Sequence, residues 1–162
     1  MTTGHAPGGT APESGSALML FPAAVLVMVV LAAMAVDLSI GFMSQRELRE
    51  AVAGAANDAA ALALDERAFY EDGRVELDGS RLERLAHDRV AQTLDSRRHQ
   101  SLEVIARATA PERAGCPWTV AVSARSRVSL LFAAALPGGP EQLDLRAEAR
   151  SIPAGARRDP LC

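Results

Sequence analysis

The residues of this chain that could do chemistry are its two cysteines and its histidines. Cys116 and Cys162 are separated by 45 residues, and neither belongs to a CxxC pair that would indicate a metal or redox site. Two interpretations stay open: two unrelated thiols, or a disulfide that forms if this part of the chain lies outside the reducing cytoplasm. His87 and His99 have no Cys or second His at ligand spacing, so we expect both to be ordinary surface residues.

The sequence carries no catalytic motif. It has no glycine-rich phosphate loop, no GxSxG and no HExxH, and its acidic residues are spread along faces that we expect to be solvated. We therefore expect no enzyme activity, no cofactor and no metal, and no small-molecule substrate is evident. A net charge of −3 also argues against nucleic acid as a partner, because a phosphate-binding surface needs a positive excess.

A run of twenty uncharged residues, 17–36, organises the chain. At a rise of about 1.5 Å per helical residue it covers a hydrocarbon core of roughly 30 Å, which is the length of one membrane span. No Gly-Pro break follows Asp37, so we expect the helix to continue as a stalk over residues 37–66. Residues 1–16 are rich in Gly, Pro, Ser and Thr and predict a disordered tail.

The predicted stalk carries one apolar stripe, at alternating spacings of four and three residues. Alanine is frequent in the stripe, and its small side chain lets another backbone approach closely. The stripe can seat a head domain on its own stalk, pack against neighbouring subunits, or do both at different positions. Its members are Leu48, Val52, Ala55, Ala59 and Leu62.

Residues 67–152 predict a small α+β head. A capping box at residues 80–83 (SRLE) indicates a helix that runs to about Asp95. Val75 and Leu77 alternate with polar neighbours as in a short strand, and three longer alternating runs predict half-buried strands within residues 102–108, 118–124 and 143–149.

The expected fold class is therefore α+β. A long N-terminal transmembrane helix continues into an amphipathic, Ala-rich helix, and a small head follows with one helix and a three- to four-stranded antiparallel sheet. Between the second and third strands, residues 128–136 contain a single polar side chain and are too short to span a bilayer. They predict either a core segment or an exposed apolar surface for a partner or the membrane. Residues 153–162 predict a flexible C-terminal tail.

Topology and processing each leave two alternatives. The tail has no Arg while Arg46 and Arg49 follow the span, so the charge rule alone favours a cytoplasmic head. Residues 33–35 (AMA) have the small-x-small form of a signal-peptidase site, and cleavage there would release residues 36–162 as a soluble secreted protein.

The order of the N-terminal elements resembles the TadE/TadG-like proteins, the pilin-like accessory proteins of Flp (tight adherence) pilus systems. The resemblance covers about residues 14–64. It is carried by residues 15–22 (GSALMLFP), the apolar span, Val36-Asp37, residues 46–48 (REL) and the alanine run at residues 55–63.

This resemblance implies a single-pass cell-membrane protein that is a structural or assembly component of a Flp/Tad-type pilus or a related secretion system. Its partners would be the lipid bilayer and other pilin-like or pilus-assembly membrane proteins. The resemblance also implies a head outside the cytoplasm, where we expect Cys116 and Cys162 to form a disulfide. The alternative function is a single-span or secreted binding module unrelated to pili.

Overall fold

A computed structural model describes residues 14–64, 70–71, 76–111, 116–135 and 138–153. The fold is α+β, and the described residues include a long N-terminal helix, a second helix and a three-stranded antiparallel sheet. The predicted short strand near Val75 and Leu77 is represented by one isolated bridge between Leu64 and Leu77, and Val75 lies outside the described residues. In chain order the elements are α1 (Ser14–Leu62), α2 (Gly79–Thr93), β1 (His99–Thr109), β2 (Thr119–Ser129), a short 3₁₀ helix (Ala133–Ala135) and β3 (Gln142–Ser151).

Helix α1 is one uninterrupted helix of 49 residues, which corresponds to a length of roughly 70 Å. Among the described residues it provides the one segment, Leu20–Leu62, that is long and apolar enough to cross a membrane. The side chains of residues 20–36 are almost all exposed, as expected of a helix whose natural surroundings are lipid. The chain thus has a candidate N-terminal transmembrane helix, a feature that a signal sequence would share.

The second half of α1 packs into the head. Leu48, Val52, Ala55 and Ala59 are fully buried, whereas Leu62 is 56% exposed and lies outside the core. Helix α1 contacts α2 and the strands β2 and β3 along this half. The small alanine side chains let these elements approach the helix closely, so four of the five stripe residues are occupied by the head of the same chain.

The sheet has the order β1-β2-β3, with β2 in the centre and both pairs antiparallel. The alternation predicted from the sequence is confirmed in β2, in β3 and in β1 from Leu102 onward, because every second residue there faces the helices. Most residues on this inner face are buried or partly buried, except Leu143 near the start of β3, and charged residues lie between them. The buried apolar members are Ala106, Val120, Val122, Ala124, Val128, Leu145 and Ala147.

The N-cap of helix α2 lies two residues before the predicted cap, Ser80. Asp78 is the N-cap, and its Oδ1 accepts hydrogen bonds from the backbone N–H groups of Ser80 at 2.9 Å and Arg81 at 3.1 Å. The Ser80 hydroxyl donates to the same oxygen at 2.8 Å instead of capping the helix itself. The hydrogen bond from this hydroxyl, followed by the one from the Arg81 N–H, lowers the pKa of the Asp78 carboxyl below its ordinary value of 3.8.

Replacing Asp78 by Ala should lower the unfolding midpoint at neutral pH, because the first N–H groups of α2 lose their acceptor. The folded-state pKa of Asp78 is depressed, so its stabilising contribution is complete above pH 3.8 and is lost as the pH falls through the folded-state pKa. Thermal unfolding in detergent at a series of pH values measures both effects. Asp88→Ala, an exposed site inside the same helix, is the control; an equal loss in both variants would contradict the capping role.

A second prediction compares two alanines on the same helix. Ala59 is fully buried and Ala61 is exposed. Ala59→Arg places an unpaired charge in the core and should cost about 4 kcal/mol or more in the free energy of unfolding. Ala61→Arg should be close to neutral. Denaturation of both variants in detergent measures this difference, and a stable Ala59→Arg head would show that the α1 contacts are dispensable.

Candidate functional site

The junction between the apolar run and the head is built around Asp37, the first charged residue after the span. Its neighbours Val36 and Leu38 are exposed, but Asp37 itself is only 8% exposed because its side chain points into the head. Its carboxylate accepts three backbone N–H groups from the segment that follows β2. Leu131 donates to Oδ1 at 2.9 Å and Ala133 to Oδ2 at 2.6 Å, while the N–H of Phe132 lies 3.2 and 3.1 Å from the two oxygens.

The local structure explains why this segment needs an acceptor. It leads into the 3₁₀ helix Ala133–Ala135, and the first N–H groups of a helix have no partner within the helix. Asp37 acts as a cap supplied from 94 residues earlier in the chain. Three N–H donors also replace the water that a buried carboxylate loses, so the charge is accommodated without an opposite charge.

Further contacts continue this attachment along α1. A Cβ atom placed on Gly41 would lie 3.0 Å from Cδ2 of Leu143, so the glycine allows close approach of β3. One turn later, Gln45 Nε2 donates to the backbone carbonyl of Arg146 at 2.8 Å. Helix α1 is therefore held by β3 immediately after Asp37, and its direction relative to the sheet is fixed there.

A second polar cluster lies inside the head. His99 Nδ1 is 3.0 Å from Ser126 Oγ, and His99 Nε2 is 3.5 Å from Glu47 Oε2 on α1. Arg98 adds a longer ion pair to the same carboxylate at 3.7 Å. The expectation that His99 is a surface residue is wrong, since its side chain is almost completely buried; His87 is exposed, as predicted.

A β-bulge explains the burial of His99. The register between β1 and β2 shifts between Gln100 and Glu103, and Ser101 has a φ of 52°, in the left-handed region. One extra residue in β1 changes which side chains face inward. His99 therefore shares the inner face with Leu102, although the two are an odd number of residues apart.

Serine, histidine and a carboxylate in this order could support nucleophilic chemistry, but their surroundings do not suit it. Ser126 is 2% exposed and faces the helices from the centre of the sheet, so its hydroxyl is closed to a substrate. The cluster instead gives a buried polar contact between β1, β2 and α1. In the described part of the chain, the buried atoms Ser44 Oγ and His99 Nε2 have no hydrogen-bond partner.

The remaining predicted site is the cysteine pair. Cys116 lies just before β2, in the connection from β1, while Cys162 lies outside the described residues. Their disulfide stays a prediction. Within the described ranges, no group of three His, Cys, Asp or Glu side chains is placed to hold a metal ion.

Comparisons with known proteins identify no relative. No protein-family model matches the chain, and neither a curated protein nor a solved structure is similar to it.

The Asp37 contact predicts a local effect of mutation. Asp37→Ala leaves three N–H groups without their acceptor, so amide hydrogen exchange in residues 131–133 should become faster. Asp58→Ala is the control, because Asp58 lies on the same helix and its ion pair with Arg89 is exposed. Exchange mass spectrometry of the intact chain in detergent measures both. Unchanged exchange at residues 131–133 in Asp37→Ala would contradict the capping role.

The buried His99–Ser126 contact predicts a coupling between these two residues. Ser126→Ala leaves His99 Nδ1 without its partner and should cost about 1–3 kcal/mol in the free energy of unfolding. Ser129→Ala, at an exposed position of the same strand, should cost little. In a double-mutant cycle with His99→Phe, the two losses should add to more than the loss in the double mutant. Strict additivity would mean that the two side chains do not interact.

Proposed function

We propose that this protein is a single-pass, membrane-anchored structural or assembly component of a Flp/Tad-type pilus or a related secretion system, with its head outside the cytoplasm. The observation that supports the proposal best is the continuity of α1. One helix has an exposed apolar half, and its other half forms part of the head core. That architecture agrees with the pilin-like arrangement implied by the resemblance of residues 14–64 to TadE/TadG-like proteins.

The packing of α1 determines which surface a neighbouring subunit could use. Leu48, Val52, Ala55 and Ala59 are covered by the head of the same chain and are not available for contacts between subunits. The side chains of residues 20–36 are almost all exposed and can pack against lipid or against the corresponding helix of another protein. We therefore propose that the span makes the contacts with other subunits and that the head is exposed outside the cytoplasm.

Photocrosslinking in the cells that produce the protein tests this function. A photoreactive side chain at Leu26, which is exposed in the span, should give adducts with other pilin-like membrane proteins. The same group at Ile105, which is exposed on the sheet away from the span, is the matched control and should give no adduct with these proteins. Deletion of the gene should abolish surface fibres, and the parent chain should restore them. Normal fibres after deletion, with only lipid adducts at Leu26, would favour the single-span binding module.

A cheaper observation discriminates the same two functions. Neighbouring genes for a secretion ATPase and polytopic inner-membrane platform proteins would support the pilus component. Their absence would support the unrelated module.

Topology and the disulfide are tested together by alkylation of intact cells with a membrane-impermeant maleimide. If the head is outside, Cys116 and Cys162 should react only after reduction, and loop closure over 45 residues would contribute roughly 3–4 kcal/mol. Labelling without reductant would keep the topology and remove the disulfide. Labelling that requires membrane rupture but no reductant would place the head in the cytoplasm and contradict the proposed orientation.

A further inference from the structure

The exposed apolar surface of α1 extends beyond Asp37. Leu38, Phe42 and Met43 are all more than half exposed, and Arg46 is the first exposed charged residue of the helix after the apolar run. The exposed face of residues 20–43 therefore has no charged side chain. At 1.5 Å per residue this face is about 36 Å long, which exceeds the roughly 30 Å of a hydrocarbon core.

The head adds exposed apolar side chains at the same level of the helix. Leu131 is 65% exposed and Phe132 is 45% exposed, and the backbone N–H groups of both donate to Asp37. Leu143 is also exposed, and it lies against Gly41. We call this set the membrane-proximal patch: Leu38, Phe42, Met43, Leu131, Phe132 and Leu143.

The rest of the head surface has a different character. On the outer face of the sheet, Glu103, Arg125 and Arg146 lie in register across the three strands. Arg127 and Asp144 form an exposed ion pair between β2 and β3 at 3.1 Å. Other exposed large apolar side chains in the described head are Leu62, Leu64, Tyr70 and Ile105. The six side chains of the patch are the ones that adjoin the span.

We propose that the membrane-proximal patch binds the bilayer surface, with Leu131 and Phe132 at the boundary between headgroups and acyl chains. The inference rests on the membrane anchor of the proposed function and is independent of a pilus role. Its basis is continuity: the patch prolongs the exposed surface of the candidate transmembrane helix without an exposed charge between them. The Asp37 carboxylate does not interrupt this surface, because it is buried against the N–H groups of residues 131–133.

The consequence is a head held at a fixed height and angle on the membrane. Asp37 and Gly41 fix the patch to α1, so the loop after β2 reaches the bilayer as the helix leaves it. Large apolar side chains are favourable at this depth, where their burial removes apolar surface from water.

Tryptophan quenching by brominated lipid tests this proposal in the full chain. The natural Trp118 is replaced by Phe in every variant, and one new Trp is introduced by Phe132→Trp, Ile105→Trp or Leu31→Trp. Ile105 is the matched control, because it is 40% exposed and lies on the sheet opposite Ser123, away from the patch. Leu31 reports on the span itself. Circular dichroism and thermal unfolding establish that each variant has folded as the parent.

The chains are reconstituted into phosphatidylcholine vesicles with bromine near the headgroup end or near the methyl end of the acyl chains. Phe132→Trp should be quenched several-fold more by the shallow bromine than Ile105→Trp, and Leu31→Trp should be quenched more by the deep bromine. Equal weak quenching of Phe132→Trp and Ile105→Trp, with Leu31→Trp quenched, would overturn the patch and keep the anchor. Equal strong quenching at both head positions would also overturn a specific patch. An unquenched Leu31→Trp would overturn the anchor and the patch together.

Discussion

The fold depends on the burial of the second half of α1 between α2 and the sheet. Eight of the nineteen buried apolar residues in the described part of the chain lie between Leu48 and Ala63. Without α1, the inner faces of the sheet and α2 would be exposed to water. A domain this small buries little apolar surface in total, so it depends on this contribution. The predicted stalk and the predicted head are therefore one packing unit, and the same rigid helix leads directly into the apolar span.

This arrangement makes Asp37 a structural boundary. Residues 20–36 before it are apolar and almost all exposed, and after it one face of the helix is covered by the head, with Gly41, Ser44 and Leu48 buried in succession. A carboxylate at such a position must either reach water or find donors, because an unsatisfied buried charge is costly. The segment after β2 provides three N–H groups. The carboxylate on the helix thus gains hydrogen-bond donors, and the N–H groups of the loop gain an acceptor.

Periodic features of the sequence predicted most of the fold. The uncharged run predicted the exposed part of α1, and the period of two predicted the inner faces of β2 and β3, because burial on one side of a strand produces an alternating pattern in the sequence.

The interactions of Asp37 and His99 could not be predicted in this way. The partner of Asp37 is 94 residues distant, and a backbone N–H carries no residue-specific signal. His99 is buried because of the β-bulge at Ser101. The left-handed backbone there could not be predicted, because the residue is a serine and not a glycine. The apolar segment at residues 128–136 combined both predicted roles, since Val128 is in the core while Leu131 is exposed.

The central claim is that one continuous helix anchors the mature protein and forms part of its core. The most direct measurement is N-terminal sequencing, with intact mass, of the mature protein isolated from the membranes of the cells that make it. We predict a chain that begins at or before Ala17 and so retains the whole apolar run, and that stays with the membrane in alkaline wash. A mature chain that begins at Val36 and is found in the soluble fraction would contradict the account.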